Sequence, residues 1–298
     1  IVLTSSISSV DSLTLIGYSG FKIDNLIGIE DFSSLQYLNC SNNNISSLDL
    51  NNNMSIKYLD CSSNSLQELL IDSLIALYTL KCSYNNLSTL NTSGNLSLTL
   101  LECINNKISA LDLKFNKFLG TIRCGHNNLM TLDLSDMDLN ILQCEHNFIS
   151  DINLTNNHSL RHLTCHDNLL ESINLNSSPN LEWLSLGNSD LLVPNNSFSN
   201  IDISSNCNIT NFYSQNNQDL SCIRVCNISN SSNWIYNIDV GHYFSEDCNT
   251  TVTNDLQNKS IKIISIVDLF GREKSVETNT LLFYIFEDGS VNRNIILE

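Results

Sequence analysis

Four of the six histidines, His126, His146, His162 and His166, fall in one part of the chain, with Glu145, Arg161, Asp167 and Trp183 close by. Imidazole can bind a metal, carry a proton or contact a ligand. His126, His146 and Asp167 recur at nearly constant spacing, and three such groups on one face could hold a metal ion. Ligand types alone do not set a geometry, however. A polar face on which His, Trp and Arg contact a protein or carbohydrate accounts for the same residues. No metal and no cofactor is therefore expected. The chain has no nucleophile constellation, no glycine-rich phosphate loop and no paired-carboxylate motif, so no catalytic residue is assigned. Nor does any loop have the Asp-x-Asp-x-Asp spacing of a calcium site.

The cysteines show what must position these groups. Cys40, Cys61, Cys82, Cys103, Cys124, Cys144 and Cys165 are separated by 21, 21, 21, 21, 20 and 21 residues. Around each lies one frame, as in Leu35, Leu38, Cys40, Asn43 and Ile45, followed by Leu48-Asp49-Leu50. Alternation of Leu38 and Cys40 about Asn39 is the period-two pattern of a half-buried strand. Twenty-one residues cannot close a domain, so each copy must bury its apolar face against its neighbours as one coil of a solenoid. Seven or eight parallel strands are expected, with an extended segment or short second strand on the return path at Leu48-Asp49-Leu50, Leu111-Asp112-Leu113 and Leu132-Asp133-Leu134. Asn43, Asn64, Asn85, Asn106, Asn127, Asn147 and Asn168 are expected to turn inward, where their amides satisfy backbone groups of the turn. An eighth copy begins at Leu181, but Leu186 replaces Cys and Ser189 replaces Asn, so the register fades there.

Seven cysteines at one inward position are expected to stack as small apolar residues. Side chains in register on parallel strands point the same way, which disfavours bridges between coils. Residues that alternate with the buried ones face outward on the concave side. They include Tyr37, Tyr58, His162 and Trp183 before the second Leu, and Arg123 between Leu and Cys. The column two past Cys holds Tyr84, His126, His146 and Asp167, with Glu145 and His166 beside it. These columns do not repeat, whereas the core columns barely change; that contrast points to a recognition surface.

Composition narrows the functions further. With 14 Lys and Arg against 31 Asp and Glu, the net charge is −17. Phosphate backbones and anionic lipid would repel it, which excludes nucleic acid as a partner. No apolar run reaches the roughly 18 to 20 residues of a membrane-spanning helix, and since the chain opens on Ile1, an export signal is expected to have been removed or omitted. Asn numbers 46, Gly 10 and Pro 2, so turns are expected to rely on Asn to tolerate left-handed backbone angles.

The frame Leu-x-x-Leu-x-Cys-x-x-Asn-x-Ile/Leu resembles the conserved segment of leucine-rich repeats, with Cys at a consensus Leu position. More narrowly, Leu59-Asp60-Cys61-Ser62-Ser63-Asn64-Ser65-Leu66 is similar to the 21-residue repeats of secreted Bacteroidetes proteins. Residues 23–32 resemble the lead-in of such proteins, and Leu220–Val225, Trp234, Ile238-Asp239 and Phe244–Cys248 resemble their closing cap. Residues 261–273 and 282–291 look like the end of a type IX secretion sorting domain. The resemblance implies a leucine-rich-repeat solenoid of the α/β horseshoe class, mostly parallel sheet with little helix. It divides into a lead-in (1–34), the repeats (35–205), a cap (206–250) and a sorting-like tail (251–298). In the cap, Cys222 and Cys248 are expected to form a disulfide, and Cys207 and Cys226 are candidates for a second. The resemblance further implies a non-enzymatic, secreted or surface-located protein that binds a protein or glycan on its concave face. Residues 259–298, as two hairpin-like strands, would meet an outer-membrane export machinery. A structural spacer, or a metal-dependent enzyme built on the histidines, are the alternatives.

Overall fold

A strand of three residues with one apolar face is stable only when stacked on others like it, and this chain stacks ten. The structure is a computed structural model that describes residues 7–188, 196–234, 237–239 and 241–248, and strands Ile263–Val267, Leu281–Phe286 and Val291–Ile295. One sheet runs through Ser12–Thr14, Tyr37–Asn39, Tyr58–Asp60, Thr79–Lys81, Leu100–Glu102, Thr121–Arg123, Ile141–Gln143, His162–Thr164, Trp183–Ser185 and Asn211–Tyr213. Every neighbouring pair is parallel and in frame register, as where Leu38 faces Leu59 and Leu142 faces Leu163. The sheet exceeds the seven or eight strands expected because Leu13 and Phe212, outside the cysteine series, pair in the same register as the repeat. Two 3-10 turns occur at Ile29–Asp31 and Ile228–Asn233, and among the described residues no helix is long and apolar enough to cross a membrane.

The centres of these strands form the core. Leu38, Leu59, Leu80, Leu101, Ile122, Leu142, Leu163, Leu184 and Phe212 are fully buried, and so are all seven ladder cysteines. Those cysteines are free thiols. Burial pushes the Cys40 and Cys103 thiols up to about 12 and raises the others too, so the column behaves as a stack of small apolar groups.

Beyond each cysteine the backbone makes a left-handed turn, with φ of 63° at Asn42, 55° at Ser63, 57° at Tyr84, 55° at Asn105, 53° at His126, 52° at His146 and 54° at Asp167. Reliance on asparagine is thus overturned: of these seven residues, only Asn42 and Asn105 are Asn. The next residue is the ladder asparagine, and its contacts offset the strain of the others. Asn127 Nδ2 donates to the carbonyls of Cys103 (2.9 Å), Cys124 (3.1 Å) and Gly125 (3.2 Å), while its Oδ1 accepts from the Ile108 N–H (3.0 Å). Asn64, Asn85, Asn106, Asn147 and Asn168 repeat this pattern. Each amide therefore ties its own coil to the one before.

The ladder does not fade at Leu181. Its next seat is filled by Asn196, which donates to Cys165 and Leu186 carbonyls and accepts from Leu170 N–H, and Asn217 follows. Asn196 lies ten residues after Leu186 where Asn168 lies three after Cys165, so the asparagine is displaced in sequence but not in space. A second set of buried asparagines, invisible in the cysteine frame, ties the return path: Asn53, Asn95, Asn116, Asn157 and Asn206 donate to carbonyls of the preceding coil. Return-side strands form at Ser47–Asp49, Glu68–Leu70, Thr131–Asp133 and Asp151–Asn153. Contrary to expectation, residues 111–113 make no strand, although Asp112 accepts from the Lys114 N–H just as Asp49 and Asp133 accept from the Asn51 and Ser135 N–H in coils where a strand does form.

Toward the end, Asn200–Ile203, Cys222–Val225 and Tyr243–Ser245 form a separate three-stranded parallel sheet. A disulfide joins Cys222 to Cys248. Cys207 and Cys226 form no second bridge; both are free thiols. Two compact units divide at Cys248 and Asn249. In the second, Ile263–Val267, Leu281–Phe286 and Val291–Ile295 pair antiparallel. That is three strands where two were expected, the third arising from the alternating run Val291-Asn292-Arg293-Asn294-Ile295.

Two outcomes follow from this packing. Asn127→Ala strands buried backbone groups in two coils and should cost about 3 kcal/mol in urea unfolding, against less than about 0.5 kcal/mol for exposed Asn128→Ala; equal effects would contradict the ladder. Under native conditions a maleimide should modify Cys207 first and Cys226 more slowly, since burial and Cys207 push the Cys226 thiol up to about 11. The seven ladder thiols should react only after denaturation.

Candidate functional site

Each strand contributes two residues, its first and its third, to the sheet face opposite the core. Because strands lie in register, identical frame positions stack directly, and three zones result. At one end the rings of Tyr37 and Tyr58 stack at 4.5 Å and 9°. Burial, with Asp60 next to it, pushes the Tyr58 hydroxyl up to about 12, keeping it a neutral hydrogen-bonding group. Mid-sheet, Glu102 accepts from Lys81 (3.1 Å) and Arg123 (2.5 Å), and Arg123 Nε donates to Gln143 Oε1 (2.7 Å). Two cations thus share one carboxylate in this row. At the other end, His162 and Trp183 stack at 5.3 Å and 6°, and Trp183 meets Tyr213 at 5.3 Å.

Tyr213 escaped the sequence reading because its strand lies beyond the cysteine series, although the inward Phe212 beside it could have revealed the register. Arg161, expected near the histidines, instead pairs with Glu182 on the exposed residues preceding the strands.

The remaining predicted residues lie at the edge of the sheet, in the turns. Tyr84, His126, His146 and Asp167 occupy left-handed positions, so they line the turns rather than stand on the strand face. Tyr84 is exposed and joins no cluster. His126 and His146 stack at 4.1 Å and 20°, and His146 meets His166 edge-on at 5.4 Å. Asp167 is 3% exposed at its side chain, with His166 Nδ1 2.7 Å and His146 Nε2 3.2 Å from its Oδ2. Asn188 donates to the same oxygen. Glu145 folds over Gly125, where a Cβ would lie 2.6 Å from its Oε1. Its Oε2 is buried and accepts no hydrogen bond. His162 belongs to the sheet face and stands apart from this histidine cluster.

Parallel three-residue strands at intervals of about 21 residues, with an inward Leu, Leu and Cys per coil, define a leucine-rich-repeat solenoid. Solved structures with the same fold agree. The functional domain of InlJ from Listeria monocytogenes, which includes a cysteine ladder, is 27% identical over 73% of this chain and 56% of its own length, with a TM-score of 0.54. Internalin C2 from Listeria monocytogenes is 22% identical over 63% of this chain and 84% of that one, with a TM-score of 0.54. In the LRIM1/APL1C complex the matching chain is 21% identical, covering 75% of this chain and 45% of that one, with a TM-score of 0.56. The chain thus spans little more than half of the InlJ domain. No family model and no curated protein matches the sequence.

Burial, and then the neighbouring His146, hold the His126 pKa below its ordinary value of 6.5; burial, and then Arg123, do the same at His162. The unfolded chain consequently binds more protons than the native one as pH falls through 6.5. Stability present above that pH should decline between about pH 7 and pH 5. The urea midpoint should follow, and H126N with H162Q should flatten the slope; an unchanged slope would contradict this.

Proposed function

We propose that this chain is a non-enzymatic binding protein that holds a partner polypeptide against the solvent face of its ten-stranded sheet, the concave side of the solenoid. One observation carries this reading: the inward columns stay almost uniformly Leu or Cys from coil to coil, while the face columns vary along the stack. Selection for stability alone would leave the face polar and featureless. Instead it displays paired tyrosines at one end, a His-Trp-Tyr row at the other and an ion-paired row between. Aromatic rings of this kind dominate binding energy at interfaces. A fold neighbour, in the LRIM1/APL1C complex, itself occurs bound to another protein.

The Cys222–Cys248 disulfide supports an oxidising location, in keeping with a secreted or surface-located protein of the Bacteroidetes type. Residues 1–34 and 206–250 would then close the two ends of the stack, and residues 259–298 would engage a type IX export machinery. A glycan ligand is the second reading. It is favoured by Trp183 lying between His162, parallel to it, and Tyr213, tilted 34° from it, a row of rings on which sugars can stack.

Binding of the full chain to arrays of surface proteins and glycans, beside Y37A/Y58A and W183A/Y213A variants, tests both readings. A protein ligand weakened at least about 10-fold by either pair supports the first. A glycan ligand lost only with W183A/Y213A supports the second. Ligands indifferent to both pairs would overturn use of this face.

A further inference from the structure

We propose that His146, His166 and Asp167 form a binding site for a divalent transition-metal ion of the Zn2+, Ni2+ or Cu2+ class. The site is distinct from the sheet face proposed for the partner, and the ion is held whether or not a partner is bound. It is also not the set that sequence spacing put forward. His126 drops out and His166 enters, because His126 stacks flat on His146 instead of pointing at the carboxylate.

The fold builds the site by stacking turns. His146 and Asp167 occupy the same left-handed position in successive coils, with φ of 52° and 54°, and His166 precedes Asp167. One donor atom from each residue lies within 4.8 Å of the others, and His146 Nε2 and His166 Nδ1 both face Asp167 Oδ2. Tetrahedral coordination with bonds of about 2.0–2.1 Å separates ligand atoms by about 3.3 Å. The His146–Asp167 pair, at 3.2 Å, already meets that spacing, and the His166–Asp167 pair, at 2.7 Å, needs to open by about half an ångström.

Surroundings favour a cation and hold the ligands in place. Asp167 is almost wholly buried, so its charge depends on neighbouring positive groups for stabilisation. His126, stacked on His146, sets the plane of that ring, and Asn188 donates to the ligating oxygen of Asp167. Outer groups of this kind orient metal ligands. Two imidazoles and one carboxylate suit Zn2+, Ni2+ or Cu2+, whereas Ca2+ and Mg2+ prefer oxygen ligands in greater number. With the ion bound, each ring offers its facing nitrogen as a lone pair and carries its hydrogen on the other nitrogen. Protons compete with the ion for these nitrogens, so binding weakens in acid. Water completes the coordination.

The test uses the full chain carrying C207S and C226S, so that exposed thiols take up no metal. Zn2+ is titrated calorimetrically, and Co2+ is followed by its visible absorption. One equivalent should bind at about pH 7.5 and weaken at least 10-fold by about pH 5.5. H146N and D167N, both compatible with a left-handed turn, and H166Q should each weaken binding by at least about 10-fold, whereas H158A should not. Saturating Zn2+ should raise the melting temperature of the C207S/C226S chain and leave that of D167N unchanged. Absence of saturable binding, or binding that H146N, H166Q and D167N all leave intact, would overturn the site.

Discussion

Everything in this molecule depends on one arrangement: an asparagine amide that satisfies the backbone of two coils at once. Where the chain leaves each short strand, the carbonyl of the ladder cysteine points into the turn and cannot reach water. An unpaired buried carbonyl or N–H costs about 1–3 kcal/mol, and every coil would carry several. The ladder side chain removes that cost by donating to carbonyls in its own coil and the preceding one and accepting from an N–H there, as at Asn106 and Asn127. The requirement is spatial rather than sequential. Asn196 can thus occupy the seat after a longer excursion, once the regular spacing has lapsed.

The ladder also explains the backbone. For its amide to point inward, the preceding residue must turn through the left-handed region, which costs a residue other than glycine roughly 1–2 kcal/mol. Ser63, Tyr84, His126 and His146 all adopt it. Because only the backbone angle is constrained there, the side chain is free to vary. It is set one coil spacing from its counterparts above and below. The histidine cluster is a consequence: imidazoles on successive left-handed turns must stack, and the preceding positions bring Glu145 and His166 in from the side. Core and turn thus fix the scaffold, leaving two sets of residues, on the sheet face and along its edge, to differ from coil to coil.

The repeat, the inward leucines and cysteines and the inward asparagines were all legible from spacing, since each residue recurs at one frame position and the alternation about Asn39 identifies the buried side. Sequence could also show that Tyr37, Tyr58, Arg123, His162 and Trp183 share a face. What it could not supply is whatever depends on local dihedral angles or on coils lacking cysteine. The left-handed turns at tyrosine, serine and histidine contradict residue preference because the ladder overrides it. Tyr213 was hidden because Ser214 stands where the cysteine would be. The return-side asparagines, Asn95 and Asn116 among them, went unnoticed because no residue as conspicuous as cysteine marks their column. The grouping of His146 with His166 depends on a ring orientation that spacing does not contain.

The most direct measurement of the central claim is residue-resolved hydrogen exchange on the full chain, read at the amides whose N–H bonds the ladder oxygens: Ile45, Leu66, Leu87, Ile108, Leu129, Ile149 and Leu170. If the asparagines hold the coils together, these seven turn amides should exchange as slowly as those of the strands, through unfolding of the stack alone. Exchange at the rate of solvent-exposed loop amides would mean that the ladder is an accompaniment of the fold rather than its support.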